Sequence, residues 1–266
     1  MNCLNSKIDL VTFRLFVFWY TVGIFLLTFD LVPPPLEWAN AVFLILCGVL
    51  GGFYFIRTYG LFIGGITVAV IMVFSIAAEV FGVSTGLLFG DYDYNPDFGL
   101  VFFNVPFTIG TAWLMVIATT HALVSPWFSH VKSSVVKGFG YVLTASLFAV
   151  AIDLVIDPVA FEVKTYWEWD GTDGFYYGIP FSNFVGWFIV AFVLHSFIYV
   201  FFHLARVWDK QVHAYWWPRT VALFYMIVFM FTFLCAVNGL WLATVSGVVT
   251  MVVARLITNR FNRGHL

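Results

Sequence analysis

Apolar residues in this chain gather in long runs separated by short polar breaks, with no strict alternation inside the runs. A helix that crosses about 30 Å of hydrocarbon needs about 20 mostly apolar residues. Runs of that order lie at 11–32, 37–56, 60–83, 105–124, 138–160, 181–205, 220–237 and 239–257. The missing period of two argues against a transmembrane strand barrel. Only Asn238-Gly239, a turn-forming dipeptide, parts the last two runs, and together they are too long for one span. The pattern predicts an all-α, polytopic membrane helix bundle of about eight transmembrane helices. It is read as a single integral membrane domain over residues 1–266, with seven spans as the alternative.

The charges sharpen this picture. Only 10% of residues are charged and 62% are hydrophobic, whereas a soluble domain is roughly 25% charged. That excludes a water-soluble enzyme, a disordered tail and a nucleic-acid-binding domain with a basic face. With the N-terminus on the inner side, every lysine and arginine except Lys164 falls on that side of an eight-span chain. Positive charge stays cytoplasmic, so both termini are expected inside, in the cytoplasmic membrane. Seven spans would carry Arg255, Arg260 and Arg263 outside. Acids run the other way: all but Asp9 and Asp209 lie in outer loops or outer halves of spans. The first apolar run lacks a small-residue cleavage site and is read as a retained span. Cys3, Cys47 and Cys235 are too scattered for a disulfide framework or a metal motif.

Two outer connections are long, 84–104 and 161–180, and each follows a span that carries acids. Links between bundle helices usually take about 2–8 residues, and longer ones are often functional. Glu79 lies about one turn below the end of span three. Asp153 and Asp157, four apart in span five, share a helix face, and Pro158 should bend or end that helix. Asn183 and Trp187 open span six with the same spacing. Intramembrane carboxyls are functional candidates by default, against the plainer reading as interhelical struts or, for Asp157, a helix-end anchor. Loss of water disfavours the charged form, so such a group can stay protonated at neutral pH and act as a general acid.

The loops add aromatic residues. Tyr92 and Tyr94 alternate with acids and suit either an interface belt or hydrogen bonds to the carboxylates. Trp167, Trp169, Tyr176 and Tyr177 suit the headgroup level or a ligand wall. Asp91, Asp93, Asn95 and Asp97 hint at calcium, but Pro96 stands where the calcium loop needs glycine. His121, His130, His195, His203, His213 and His265 form no metal box, which disfavours a di-iron or zinc enzyme. No nucleophile elbow, phosphate loop or dinucleotide fingerprint occurs. Gly51-Gly52 and Gly64-Gly65 should permit close helix packing.

Two strings resemble a known family. EVFGVSTGLLFGDYDYNPDFG followed by VPFTIGTAW, residues 79–113, and DLVIDPVAFEVKTYWEWDGTDGFYYGIPFSNFVGW, residues 153–187, look like the signatures of membrane carotenoid-biosynthesis proteins of the carotenoid 1,2-hydratase type, bisanhydrobacterioruberin hydratase-like. The resemblance implies addition of water, with no cofactor and no metal, to the terminal C1=C2 double bond of an acyclic carotenoid, lycopene-like or bisanhydrobacterioruberin-like. Glu79 or Asp153 would be the acid, with Asp157 beside them. The other carboxyl would orient water with Asn183 or Tyr92. Trp167, Trp169 or Trp187 would stabilise the cation. Tyr94 joins Tyr92 as a substrate contact. Another acid-catalysed end-group reaction (cyclisation or isomerisation), an ion-coupled transporter and a carotenoid-binding scaffold remain the alternatives. Transporters usually place their acids at mid-bilayer between repeats, whereas here they cluster toward one face.

Overall fold

The computed structural model describes residues 3–33, 36, 38–95, 100–169, 174–210 and 213–264, the side chains of 3–6 and 260–264 excepted. Among the described residues, eight helices are long and apolar enough to cross a membrane. They are α1 (Cys3–Thr28), α2 (Trp38–Tyr59), α3 (Leu61–Thr85), α4 (Phe107–Phe128), α5 (Ser134–Pro158), α6 (Phe181–Leu204), α7 (Trp216–Val237) and α8 (Trp241–Gly264). Each coincides with one expected span to within a few residues, except that the structure carries α1 well N-terminal of its run and α8 several residues past its end. The chain is an all-α polytopic bundle.

The centre of the bundle is α4, which is almost entirely buried and packs against α2, α3, α5 and α7. Its neighbour α2 comes close because it offers glycine. A Cβ on Gly48 would lie 2.7 Å from Thr111 Cβ and 2.8 Å from its carbonyl oxygen. Gly51 likewise faces the Leu114 carbonyl at 3.0 Å. Small residues let helix backbones approach where lipid gives no hydrophobic drive. Gly64 packs on the backbone of Ile56 across the α2–α3 corner, whereas a Cβ on Gly65 would meet open space. Gly60, at φ 93°, makes that corner in one residue, a conformation that a side chain resists.

A chain of buried hydrogen bonds pins four helices together. Tyr59 Oη meets His121 Nε2 at 2.8 Å, and His121 Nδ1 meets Tyr141 Oη at 2.7 Å. Tyr141 Oη meets His195 Nδ1 at 2.8 Å, and His195 Nε2 meets Thr120 Oγ1 at 3.0 Å. The Thr120 hydroxyl spends its single hydrogen on the Val116 carbonyl, 2.7 Å away. That sets the direction of every other bond. His195 must donate from Nε2, Tyr141 must donate to His195 Nδ1, His121 must donate from Nδ1 to Tyr141, and Tyr59 must donate to His121. The two imidazoles are therefore opposite tautomers. On the same side of the bundle Asp9, fully buried, accepts from Arg57 at 2.8 Å and from Trp216 Nε1 at 3.0 Å.

Pro158 ends α5, as its missing N–H requires, and the chain continues as one π-helical turn, Val159–Val163. The proline ring leaves the carbonyl of Leu154 without its helical donor. Tyr176 fills the gap, donating to Leu154 O at 2.6 Å. The two long loops also carry short strands. Of these, β1 (Tyr92–Tyr94) pairs antiparallel with β4 (Trp167–Trp169), while β2 (Val101–Phe102) pairs with β3 (Val105–Pro106). The first pair ties the two loops to each other.

Candidate active site

The site begins with Glu79, which lies farther from the helix end than the spacing suggested. Because α3 runs on to Thr85, Glu79 sits about one and two-thirds turns inside it. Its carboxyl is buried and held by three donors. Oε2 accepts from Tyr92 at 2.6 Å and from Tyr94 at 3.0 Å, and Oε1 accepts from Trp113 Nε1 at 2.9 Å. Both tyrosines reach it because residues i and i+2 of a strand point the same way. Asp93, between them, is exposed. Burial first, then the carboxylate beside them, pushes the phenols of Tyr92 and Tyr94 far above the ordinary tyrosine range. They therefore act as O–H donors.

The second acidic group faces the same region from α5. Asp153 and Asp157 are both buried, and Asn183 of α6 bridges them. Its Nδ2 donates to Asp153 Oδ2 at 3.0 Å and to Asp157 Oδ2 at 2.5 Å. The Oδ1 atom of Asp153 is buried with no partner. One turn along α6, Trp187 stacks on Trp113 with ring centroids 4.4 Å apart.

The β1–β4 register closes the site from above. Tyr92 opposes Trp169 and Tyr94 opposes Trp167, with ring centroids 4.8 and 6.0 Å apart. Trp169 is 7% exposed, so its ring packs inside the protein and does not float free. The indole N–H groups of Trp167 and Trp169 are buried without partners. Nor do the next two aromatics float. Tyr176 serves Leu154, and Tyr177 Oη accepts from the N–H groups of Leu242 and Ala243 in the first turn of α8.

Between these walls lies a cavity of about 110 Å³. Glu79, Asp157, Asn183, Trp113, Trp167 and Trp169 line its polar end, and Asp153 sits behind them. Much of the remaining wall is apolar, with Phe43 and Leu44 from α2 and Met230 and Leu234 from α7. A water needs about 10–15 Å³ of such space, so the cavity has room for several small groups at once. Lys164, the lone base expected outside, also lines it and pairs with exposed Asp30 at 3.3 Å.

Of the catalytic and substrate-binding candidates, Glu79, Tyr92, Tyr94, Asp157, Trp167, Trp169, Asn183 and Trp187 line this cavity, and Asp153 shares Asn183 with Asp157. Two that reasoning from the sequence passed over belong there too. Trp113 was an unremarked member of an apolar run, although it closes the VPFTIGTAW string. Asn40 is a polar residue in the first turn of α2 that lines the cavity. Among the described residues no histidine lines it; His121 and His195 serve in the chain that pins α2, α4, α5 and α6. Asp97 lies outside the described residues. Among those described, no three His, Cys, Asp or Glu side chains gather as a metal cluster.

Comparison with known proteins agrees with this architecture. The family described as "Carotenoid biosynthesis protein" matches residues 39–254. The chain belongs to this family. The match takes in both acid-bearing spans, both aromatic loops and α7. Bisanhydrobacterioruberin hydratase from Haloarcula japonica is 27% identical over 138 residues, which is 50% of this chain. That alignment spans 45% of the archaeal protein, so the chain matches about half the length of this curated relative. No solved structure matches the chain.

Proposed function

We propose that this family member is a carotenoid hydratase, a hydro-lyase acting on the terminal C1=C2 bond of an acyclic carotenoid. The observation that carries the reading is the meeting of two buried carboxyls, backed by Asp153, with four indoles at one end of a largely apolar cavity. Hydration of a trisubstituted alkene needs those parts. A proton adds to C2, the π electrons form the new C–H bond, and C1 becomes a tertiary cation. Water attacks C1 and loses a proton, which leaves a tertiary alcohol and regenerates the acid. The faces of Trp113, Trp167, Trp169 and Trp187 suit a transient cation, since ring quadrupoles attract positive charge. The apolar wall between α2 and α7 suits the polyene. The name of the archaeal relative supports the same reaction.

The protein would act within the cytoplasmic membrane as one integral unit with both termini inside, as the distribution of lysine and arginine favours. The test is expression in a host that makes an acyclic carotenoid, followed by mass analysis of the pigments. A gain of one water per end group is the expected result. A ring without mass gain would replace hydration with cyclisation, and unchanged pigment would leave binding or transport.

A further inference from the structure

The three carboxyls at the cavity are not equivalent in their surroundings. Glu79 accepts hydrogen bonds on both oxygens from three donors that stand on β1 and α4. An indole N–H can only donate, and the two phenols are held as donors by burial and by the carboxylate itself. Three donors on its two oxygens equip Glu79 as an acceptor held in one orientation. A carboxylate has about four acceptor positions, so one remains open at Oε1, on a residue that lines the cavity.

Asp153 and Asp157 have the opposite setting. One amide nitrogen supplies the donors they share. One oxygen of Asp153 is buried without any. No ion pair among the described residues involves either aspartate, and Lys164, the nearby cation, is engaged with Asp30. Two carboxyls that share one donor nitrogen leave acceptor positions empty, and a hydrogen carried by the pair itself fills one of them. Only Asp157 of the two lines the cavity.

From this geometry we infer that the roles are divided: Asp157 delivers the proton to the alkene, Asp153 and Asn183 position it, and Glu79 is the fixed carboxylate that orients and deprotonates the attacking water. The assignment rests on the proposed hydration. In the full step the Asp157 hydrogen goes to C2 and the C=C π pair forms that C–H bond. A water oxygen lone pair then bonds to C1. The hydrogen shed by that water passes to Glu79 and returns to Asp157 through the cavity, which leaves the enzyme unchanged.

Deuterium oxide separates these roles, because a cation that forms but is not captured returns to alkene with label at C2. Purified protein in detergent with an acyclic carotenoid is assayed for hydrate and for deuterium in recovered substrate. E79Q should lose hydration by at least about 100-fold, the usual worth of a general base, while still labelling the substrate. D157N should lose both. D153N should slow both together and leave their ratio at the wild-type value. The double variant Y92F/Y94F strips two donors from Glu79 without touching the aspartates, and should reproduce E79Q in milder form. It keeps the test valid where E79Q fails to fold, and D157E, which retains a carboxyl, should recover part of the labelling lost in D157N. Label incorporation by D157N, or its loss in E79Q and Y92F/Y94F, overturns the division of roles. Absence of hydrate from the wild-type protein overturns the hydratase reading itself, and this assignment with it.

Discussion

Replacing Tyr141 with phenylalanine tests the buried chain of hydrogen bonds with a change of one atom. The Tyr141 hydroxyl accepts from His121 Nδ1 at 2.7 Å and donates to His195 Nδ1 at 2.8 Å. Both imidazoles are fully buried, so neither recovers its partner from water. Each stranded donor or acceptor costs about 1–3 kcal/mol. The two together give about 2–6 kcal/mol, little relieved by repacking because phenylalanine keeps the ring. A chain of this size loses about 2–4 °C of melting temperature per kcal/mol. The variant should therefore melt roughly 4–24 °C lower when helicity is followed in detergent. Tyr199→Phe serves as control, since its hydroxyl bonds Ser134 at the exposed end of α5, and should shift melting by no more than about 2 °C. Nitrogen-15 NMR of labelled histidine should find His121 protonated at Nδ1 and His195 at Nε2. Melting of Tyr141→Phe within about 2 °C of wild type, or the reversed tautomers, would refute the argument from Thr120.

Three further outcomes follow from the same packing. Asp9→Asn strips the charge from a buried partner of Arg57 and should destabilise by about 3–5 kcal/mol, read as a lower denaturation midpoint. Gly48→Val forces side-chain atoms into the Thr111 backbone and should cost at least about 1–3 kcal/mol, with loss of the α2–α4 contact visible as failure of an engineered cross-link between them. Tyr177→Phe removes the acceptor for two N–H groups at the start of α8. It should cost about 1 kcal/mol, seen as faster hydrogen exchange at Leu242 and Ala243.

Hydropathy made the bundle legible because spanning helices need only length and apolarity, and both are local properties of the chain. The acids Glu79, Asp153 and Asp157 stood out for the same reason, as charges where charge is costly. Tyr92 and Tyr94 were recognised only as alternatives, since alternation places two residues on one side without saying what stands opposite. What the sequence hid was pairing across distance. Nothing local tells that Tyr176 answers a carbonyl freed by Pro158, that Trp113 reaches Glu79 from another helix, or that 92–94 and 167–169 form a ladder. The opposite tautomers of His121 and His195 depend on a threonine hydroxyl, and became visible only once all five groups had positions.

The ladder between β1 and β4 bears on how the protein is made. Synthesis delivers α3 and its loop first, but Tyr92 and Tyr94 have no strand to pair with until 167–169 follow, two helices later. Until then, Glu79 stands in a span without the roof that holds its tyrosine donors in place. Its acidic counterpart on α5 likewise waits for Asn183 of α6. A chain interrupted after α5 and before 167–169 would thus carry Glu79, Asp153 and Asp157 and no working site. The cavity is therefore complete only once α7, which supplies Met230 and Leu234 to its wall, has followed.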